Sequence, residues 1–142
     1  MADVVGRAEY KIAGAFKDFG ADLRDKVVLD IGSSTGGFTE FALRQGAEKV
    51  IAVEKGTNQM KAPLRFSPLI ELHEKQDIFE FVPEEKPNVI LADVSFVSLK
   101  KSLLWQGKSS LWQQQRWTMP ADPMIWKRTG MHLERYRISR LK

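Results

Sequence analysis

The chain has 142 residues, 43% of them apolar, and a formal net charge of +4, which allows one modest domain with a real core. It contains no cysteine, so disulfides and thiolate chemistry are excluded. No apolar run approaches the roughly 20 residues needed to span a bilayer and no signal-peptide core opens the chain, so a cytoplasmic protein away from membranes is expected.

The first predicted element is a helix over 9–19, where Ile12, Ala13, Ala15, Phe16 and Phe19 recur at helical spacing before Gly20. Lys26-Val27-Val28-Leu29-Asp30-Ile31 then reads as a strand buried on both faces. It turns through Gly32-Ser33-Ser34-Thr35-Gly36-Gly37 into a helix over 38–45 that Gly46 closes, and a second strand over 49–54 ends in Glu54. This is a βαβ unit with glycines in its first turn, the half-site on which doubly wound sheets bind nucleotides. A short helix is predicted over 59–64, irregular at Pro63, then a third strand over 69–74, a short helix near 78–81 and a charged loop over 83–87. The fourth strand, 88–93, is nearly all apolar and therefore central. Right-handed crossovers give an α/β, Rossmann-like parallel sheet of order 3-2-1-4.

The turn selects among ligands. A dinucleotide fingerprint requires G-x-G-x-x-G, so that backbone can approach a pyrophosphate. Here Asp30, Gly32, Ser34 and Gly36 spell D-x-G-x-S-x-G, without the middle glycine and with the last one shifted. That spacing fits a wider loop around the amino-acid end of S-adenosylmethionine (SAM), and Glu54 is placed to accept the ribose hydroxyls of an adenosine. A glycine turn needed only to join strand to helix is the plainer alternative. A nicotinamide-dependent oxidoreductase fragment is disfavoured by Ser34 and the shifted glycine.

The segment KVVLDIGSSTGGFTEFALRQGAEKVIAVEKGTNQM, with RAEYKIAGAF before it and NVILADVSFVSL after it, closely resembles the FtsJ-like methyltransferase domain of the TlyA family, over about residues 6–101. Members are often labelled hemolysins and are similar to ribosomal RNA 2′-O-methyltransferases; the hemolysin label gains no support from the apolar pattern. The resemblance implies a SAM-dependent enzyme acting on ribosomal RNA or a ribosomal subunit. It implies a cofactor site made of Asp30, Gly32, Ser33, Ser34, Thr35, Gly36, Gly37, Phe38, Thr39, Glu54, Lys55, Asp77 and Asp93. FtsJ-like enzymes share a Lys-Asp-Lys-Glu set for handling the proton of a ribose hydroxyl, and Lys11 and Asp93 align with its first two members. Gly6, Ala8 and Glu9 depart from the family's Ser-Arg-Gly-Gly-x-Lys-Leu pattern around that lysine. Asp77 could equally cap the following helix, and Ser95 and Ser98 could satisfy local backbone groups. His73 and His132 have no partners at metal-ligand spacing, so no metal site is expected.

The chain changes character near residue 101. Residues 1–99 carry 12 Lys+Arg against 16 Asp+Glu, whereas residues 100–142 carry 10 against 2, with all four tryptophans. The expected division is a partial SAM-binding methyltransferase domain over 1–101 and a divergent basic tail over 102–142. The tail has no clear period apart from a short helix over 131–141, and no match to the second lysine and glutamate of the set. Its aromatic and basic residues could stack on RNA bases, but a replaced or frame-shifted segment would look the same. The C-terminal part is read as truncated or divergent, and the family's N-terminal S4-type RNA-binding domain is not found. The chain is therefore expected to be inactive alone; a non-catalytic SAM- or RNA-binding module is the alternative. The tail, or a partner chain, must cover the fourth strand, because a bare edge there would drive self-association.

Overall fold

A computed structural model describes residues 22–92 and the strands Ile125–Thr129 and His132–Tyr136. The elements are β1 (Val27–Ile31), α1 (Gly37–Arg44), β2 (Lys49–Val53), a 3-10 turn (Leu64–Phe66), β3 (Ile70–His73), β4 (Val89–Ala92), β5 (Ile125–Thr129) and β6 (His132–Tyr136). They build one six-stranded sheet of order β3-β2-β1-β4-β5-β6, so the expected 3-2-1-4 arrangement holds. β1 pairs in parallel with β2 on one side and β4 on the other. Ile31, Val53 and Ala92 fall level in this register, which brings three strand ends to one edge.

Alternation along the strands makes two apolar layers. Val28, Val50, Val89 and Leu91 meet Phe38, Phe41 and Ala42 of α1 on one face. Val27, Leu29, Ile31, Ile51, Val53 and Ile90 pack with Ile78 and Phe81 on the other. A third cluster joins Ala52, Met60 and Ile70, with Leu64 against it, and fixes the β2–β3 connection to the α1 side. At eight residues α1 is too short to be stable alone, and its buried Phe38, Phe41 and Ala42 hold it on the sheet.

Three expectations change. The helix expected over 59–64 is absent; only the 3-10 turn Leu64–Phe66 forms, because Asn58 adopts φ 52 and Pro63 has no N–H to donate. Residues 78–81 make a single turn, closed by bonds from Glu80 N–H to Asp77 O and Phe81 N–H to Ile78 O. Where a helix was expected over 131–141, the chain forms β6, antiparallel to β5. The fourth strand is covered by the tail, as one of the two expected alternatives has it: β5 pairs in parallel with β4. Strand pairing supplies long-range hydrogen bonds that no local period announces. The helix expected over 9–19 lies outside the described residues. Among the described residues, no helix is long and apolar enough to cross a membrane.

At the start of β2, Lys49 Nζ lies 2.5 Å from Glu71 Oε2 and 3.5 Å from Glu85, while Glu71 Oε1 is 2.7 Å from His73 Nε2. The Lys49 hydrogen bond holds the Glu71 carboxyl below its ordinary range against the cost of burial, with His73 adding to the effect. Glu71 in turn holds Lys49 above its ordinary value. Glu71 thus contributes stability that is complete above the ordinary carboxyl value of 4.5 and lost as pH falls through its lower folded value. Lys49 contributes stability that is complete below 10.5 and lost as pH rises through its higher folded value. Urea unfolding across a pH series should show a plateau between these limits, and Glu71→Gln should flatten its acid side.

Candidate functional site at the carboxyl ends of the central strands

Asp30, one residue before the end of β1, is fully buried. Thr39 Oγ1, in the first turn of α1, donates a 2.7 Å hydrogen bond to its Oδ2. A carboxylate out of water is tolerated only with such donors, so the pair fixes the start of α1 to the end of β1.

Between them the chain must reverse within a few residues. Gly32 (φ 74), Ser34 (φ 50) and Gly36 (φ 98) take left-handed backbone, which glycine adopts freely and serine does not. The N–H groups of Gly32 and Ser33 both donate to Val53 O, at 2.9 and 3.2 Å, and fold the loop onto the end of β2. Gly36 N–H donates to Ser33 O at 2.9 Å and closes the turn. A Cβ on Gly36 would lie 3.0 Å from Leu64 Cδ1 and 3.3 Å from Met60 Cγ, because the β2–β3 connection packs against the loop. Ser33 is 4% exposed, and its Oγ has no hydrogen-bond partner among the described residues.

Glu54 follows β2 and faces this loop. Its Oε2 accepts from Ser34 N–H at 2.8 Å and its Oε1 from Gly56 N–H at 2.9 Å. A carboxylate offers about four acceptor positions, so two remain for a ligand after the backbone has oriented the group. Beyond Glu54, Lys55 Nζ lies 3.8 Å from Asp77 Oδ2, and Asp77 Oδ1 accepts from Phe79 N–H at 2.9 Å. Asp77 therefore caps a turn, at a strand end tied to Glu54 by the bond from Gln76 N–H to Glu54 O.

The loop residues, Glu54, Lys55 and Asp77 thus sit near one edge of the sheet. Lys11, Asp93, Ser95 and Ser98 lie outside the described residues; Asp93 is next in sequence after β4. The sequence reading overlooked Gly56 and Gln59. Ser34 Oγ is 3.4 Å from Gln59 Oε1, and a Cβ on Gly56 would come within 2.1 Å of Gln59 Nε2. A glycine two residues past an acidic strand end was the available signal.

A βαβ loop of this shape with an oriented carboxylate on the second strand suits a nucleoside-bearing ligand. The pattern of FtsJ-like methyltransferases matches residues 4–116. The chain belongs to the FtsJ-like methyltransferase family. The match runs past residue 101, where the resemblance in sequence had been expected to stop. This FtsJ-like chain is 43% identical over 95 residues to the Campylobacter jejuni 23S rRNA (cytidine-2′-O)-methyltransferase TlyA, covering 67% of this chain and 38% of that protein. It is 42% identical over 101 residues to Hemolysin A of Brachyspira hyodysenteriae, covering 68% and 42%. The chain thus spans about two-fifths of the length of these relatives. Among solved structures, a Lactococcus lactis "putative hemolysin" superposes with a TM-score of 0.75 at 29% identity, covering 89% of this chain and 59% of that one. A SAM-dependent methyltransferase from Mesorhizobium loti shares the fold, with a TM-score of 0.60 at 13% identity over 86% of this chain and 52% of that one.

Thr39→Val removes the hydroxyl that serves the buried Asp30 carboxylate and should cost about 1–3 kcal/mol of stability, while Thr39→Ser should lose much less. Urea unfolding at neutral pH measures both.

Proposed function

We propose that the chain is the cofactor-binding part of a SAM-dependent ribosomal RNA methyltransferase whose target is a ribose 2′-hydroxyl. The observation that carries this reading is Glu54, held by two backbone N–H groups with acceptor capacity to spare, opposite a loop forced into left-handed backbone at Gly32, Ser34 and Gly36. The residues fit the cofactor. Glu54 would take the ribose hydroxyls, the 32–36 loop would wrap the amino-acid end, and Asp77 with Lys55 would border the adenine. The unpartnered Ser33 hydroxyl is a further buried polar group at the loop. Asp30 and Thr39 would act beneath the loop by holding its two ends.

When bound, SAM supplies an already activated methyl group, so the chain's main task is to position an acceptor. A ribose hydroxyl has a pKa far above neutral and needs help to release its proton. Lys11 would assist that release, with Asp93 as its neighbour in the family's set. Residues 102–142 contain no match to the second lysine and the glutamate of that set. The 142-residue chain by itself would therefore bind cofactor and transfer methyl slowly or not at all, which also keeps a non-catalytic binding module as the second reading. A ribosomal substrate would place the protein in the cytoplasm.

Two measurements test this. In calorimetric titration the folded chain should bind S-adenosylhomocysteine and not NAD, and Glu54→Ala should weaken binding by about 1–3 kcal/mol. Absence of binding at millimolar S-adenosylhomocysteine would refute the cofactor assignment. In a methyl-transfer assay on ribosomal RNA, joining residues 1–101 to a family-like C-terminal half should raise the rate by orders of magnitude, and Lys11→Ala should abolish the gain. An ordinary enzymatic rate from the unaltered chain would show that the proton-handling set is complete as it stands, through Lys100, Lys101 or Lys108 or without a second lysine.

A further inference from the structure

The β2–β3 connection carries two exposed large apolar side chains, Phe66 at 76% exposure and Leu69 at 48%. Its own charged residues are all basic, with Lys55 lying 3.8 Å from Asp77 and Arg65 3.3 Å from Glu74 outside the segment. Residues 55–70 contain Lys55, Lys61 and Arg65 and no Asp or Glu, whereas residues 22–92 together hold 9 Lys+Arg against 12 Asp+Glu. The Arg65 guanidinium lies over the Phe66 ring, 5.9 Å from its centroid, and Glu74 anchors it at 3.3 Å. Lys61 is exposed and makes no ion pair among the described residues. The surface also adjoins the glycine loop, since Lys61 N–H donates to Thr35 O at 3.3 Å and Leu64 packs beside Gly36.

We propose that Phe66, Arg65 and Lys61 form a stacking and phosphate-binding surface for an unpaired stretch of the RNA substrate. The proposal rests on the ribosomal RNA reading above and adds the residues that grip the RNA. An exposed aromatic ring beside a fixed guanidinium is a platform on which a base of any sequence can stack. A neighbouring free lysine suits the phosphate that accompanies each base. Two apolar side chains are too few for the core of a stable protein interface, and Lys61, without an ion pair among the described residues, favours a phosphate-bearing partner beside the Phe66 ring. The place beside the loop would let bound RNA lie close to the cofactor without competing for Glu54.

Fluorescence anisotropy with a labelled single-stranded RNA of mixed sequence, read alongside calorimetric titration with S-adenosylhomocysteine, tests the surface on the 142-residue chain. Phe66→Ala should weaken RNA binding on the order of tenfold and Phe66→Trp should preserve it. Lys61→Gln should weaken binding and lower the salt slope by about 0.7, the share of one single-strand phosphate contact. S-adenosylhomocysteine affinity should not change in any variant, and the exposure of both side chains leaves folding unaffected. If the parent chain binds RNA and the variants bind it equally well, the surface assignment is wrong while the RNA reading stands. If the parent chain binds no RNA, that reading falls together with the surface. Variants that lose affinity for intact ribosomal subunits but keep it for protein-free RNA would assign the surface to a ribosomal protein and overturn the proposal.

Discussion

Parallel pairing of β1 between β2 and β4 is the constraint on which the remaining structure depends. Because Ile31 is level with both Val53 and Ala92, the chain leaves each of these strands at the same edge. A parallel strand cannot be followed by a tight hairpin, so each connection must cross a face of the sheet before the next strand starts. The crossover after β1 contains α1, whose aromatic side chains supply much of one apolar layer. Core formation and the gathering of strand ends are thus one event. A site at that edge needs no device of its own beyond the loops that leave it.

Those loops are held by backbone N–H groups that donate to a strand carbonyl and to the Glu54 carboxylate. Val53 O accepts two N–H groups from the glycine loop, and Glu54 accepts one from that loop and one from its own. The carboxylate has a structural duty, and its acceptor positions outnumber its two backbone partners. Ser34 in left-handed backbone costs about 1–3 kcal/mol, and its N–H finds the carboxylate there. The arrangement fixes the orientation of the Glu54 carboxylate through backbone bonds.

The far side of the sheet shows how an apolar central strand is protected. β4 is buried along its whole length, and its second edge is satisfied by β5, itself backed by the antiparallel β6. An unpaired β4 would expose a row of donors and acceptors next to apolar side chains, a template for aggregation. Residues from the basic segment therefore belong to the same sheet as the methyltransferase core, even though their composition differs from it.

The sequence by itself determined the βαβ unit, the order of the four inner strands and the family. Val89 to Ala92 is a continuous apolar run and Val27 to Ile31 is one broken only by Asp30, and such runs are stable only when both faces are covered. Gly32, Gly36 and Gly46 were legible as turn residues because left-handed backbone restricts which residue types can serve. Tertiary structure decided what local pattern does not encode. The 59–64 and 78–81 segments have helix-like composition, yet their apolar residues are used as single anchors, Met60 and Leu64 on one face and Ile78 and Phe81 on the other. The segment containing β6 carries a helical period that pairing with β5 overrides. The bond from Ser34 N–H to Glu54 joins residues 20 apart in sequence, and it forms where β1 and β2 lie side by side with their ends level.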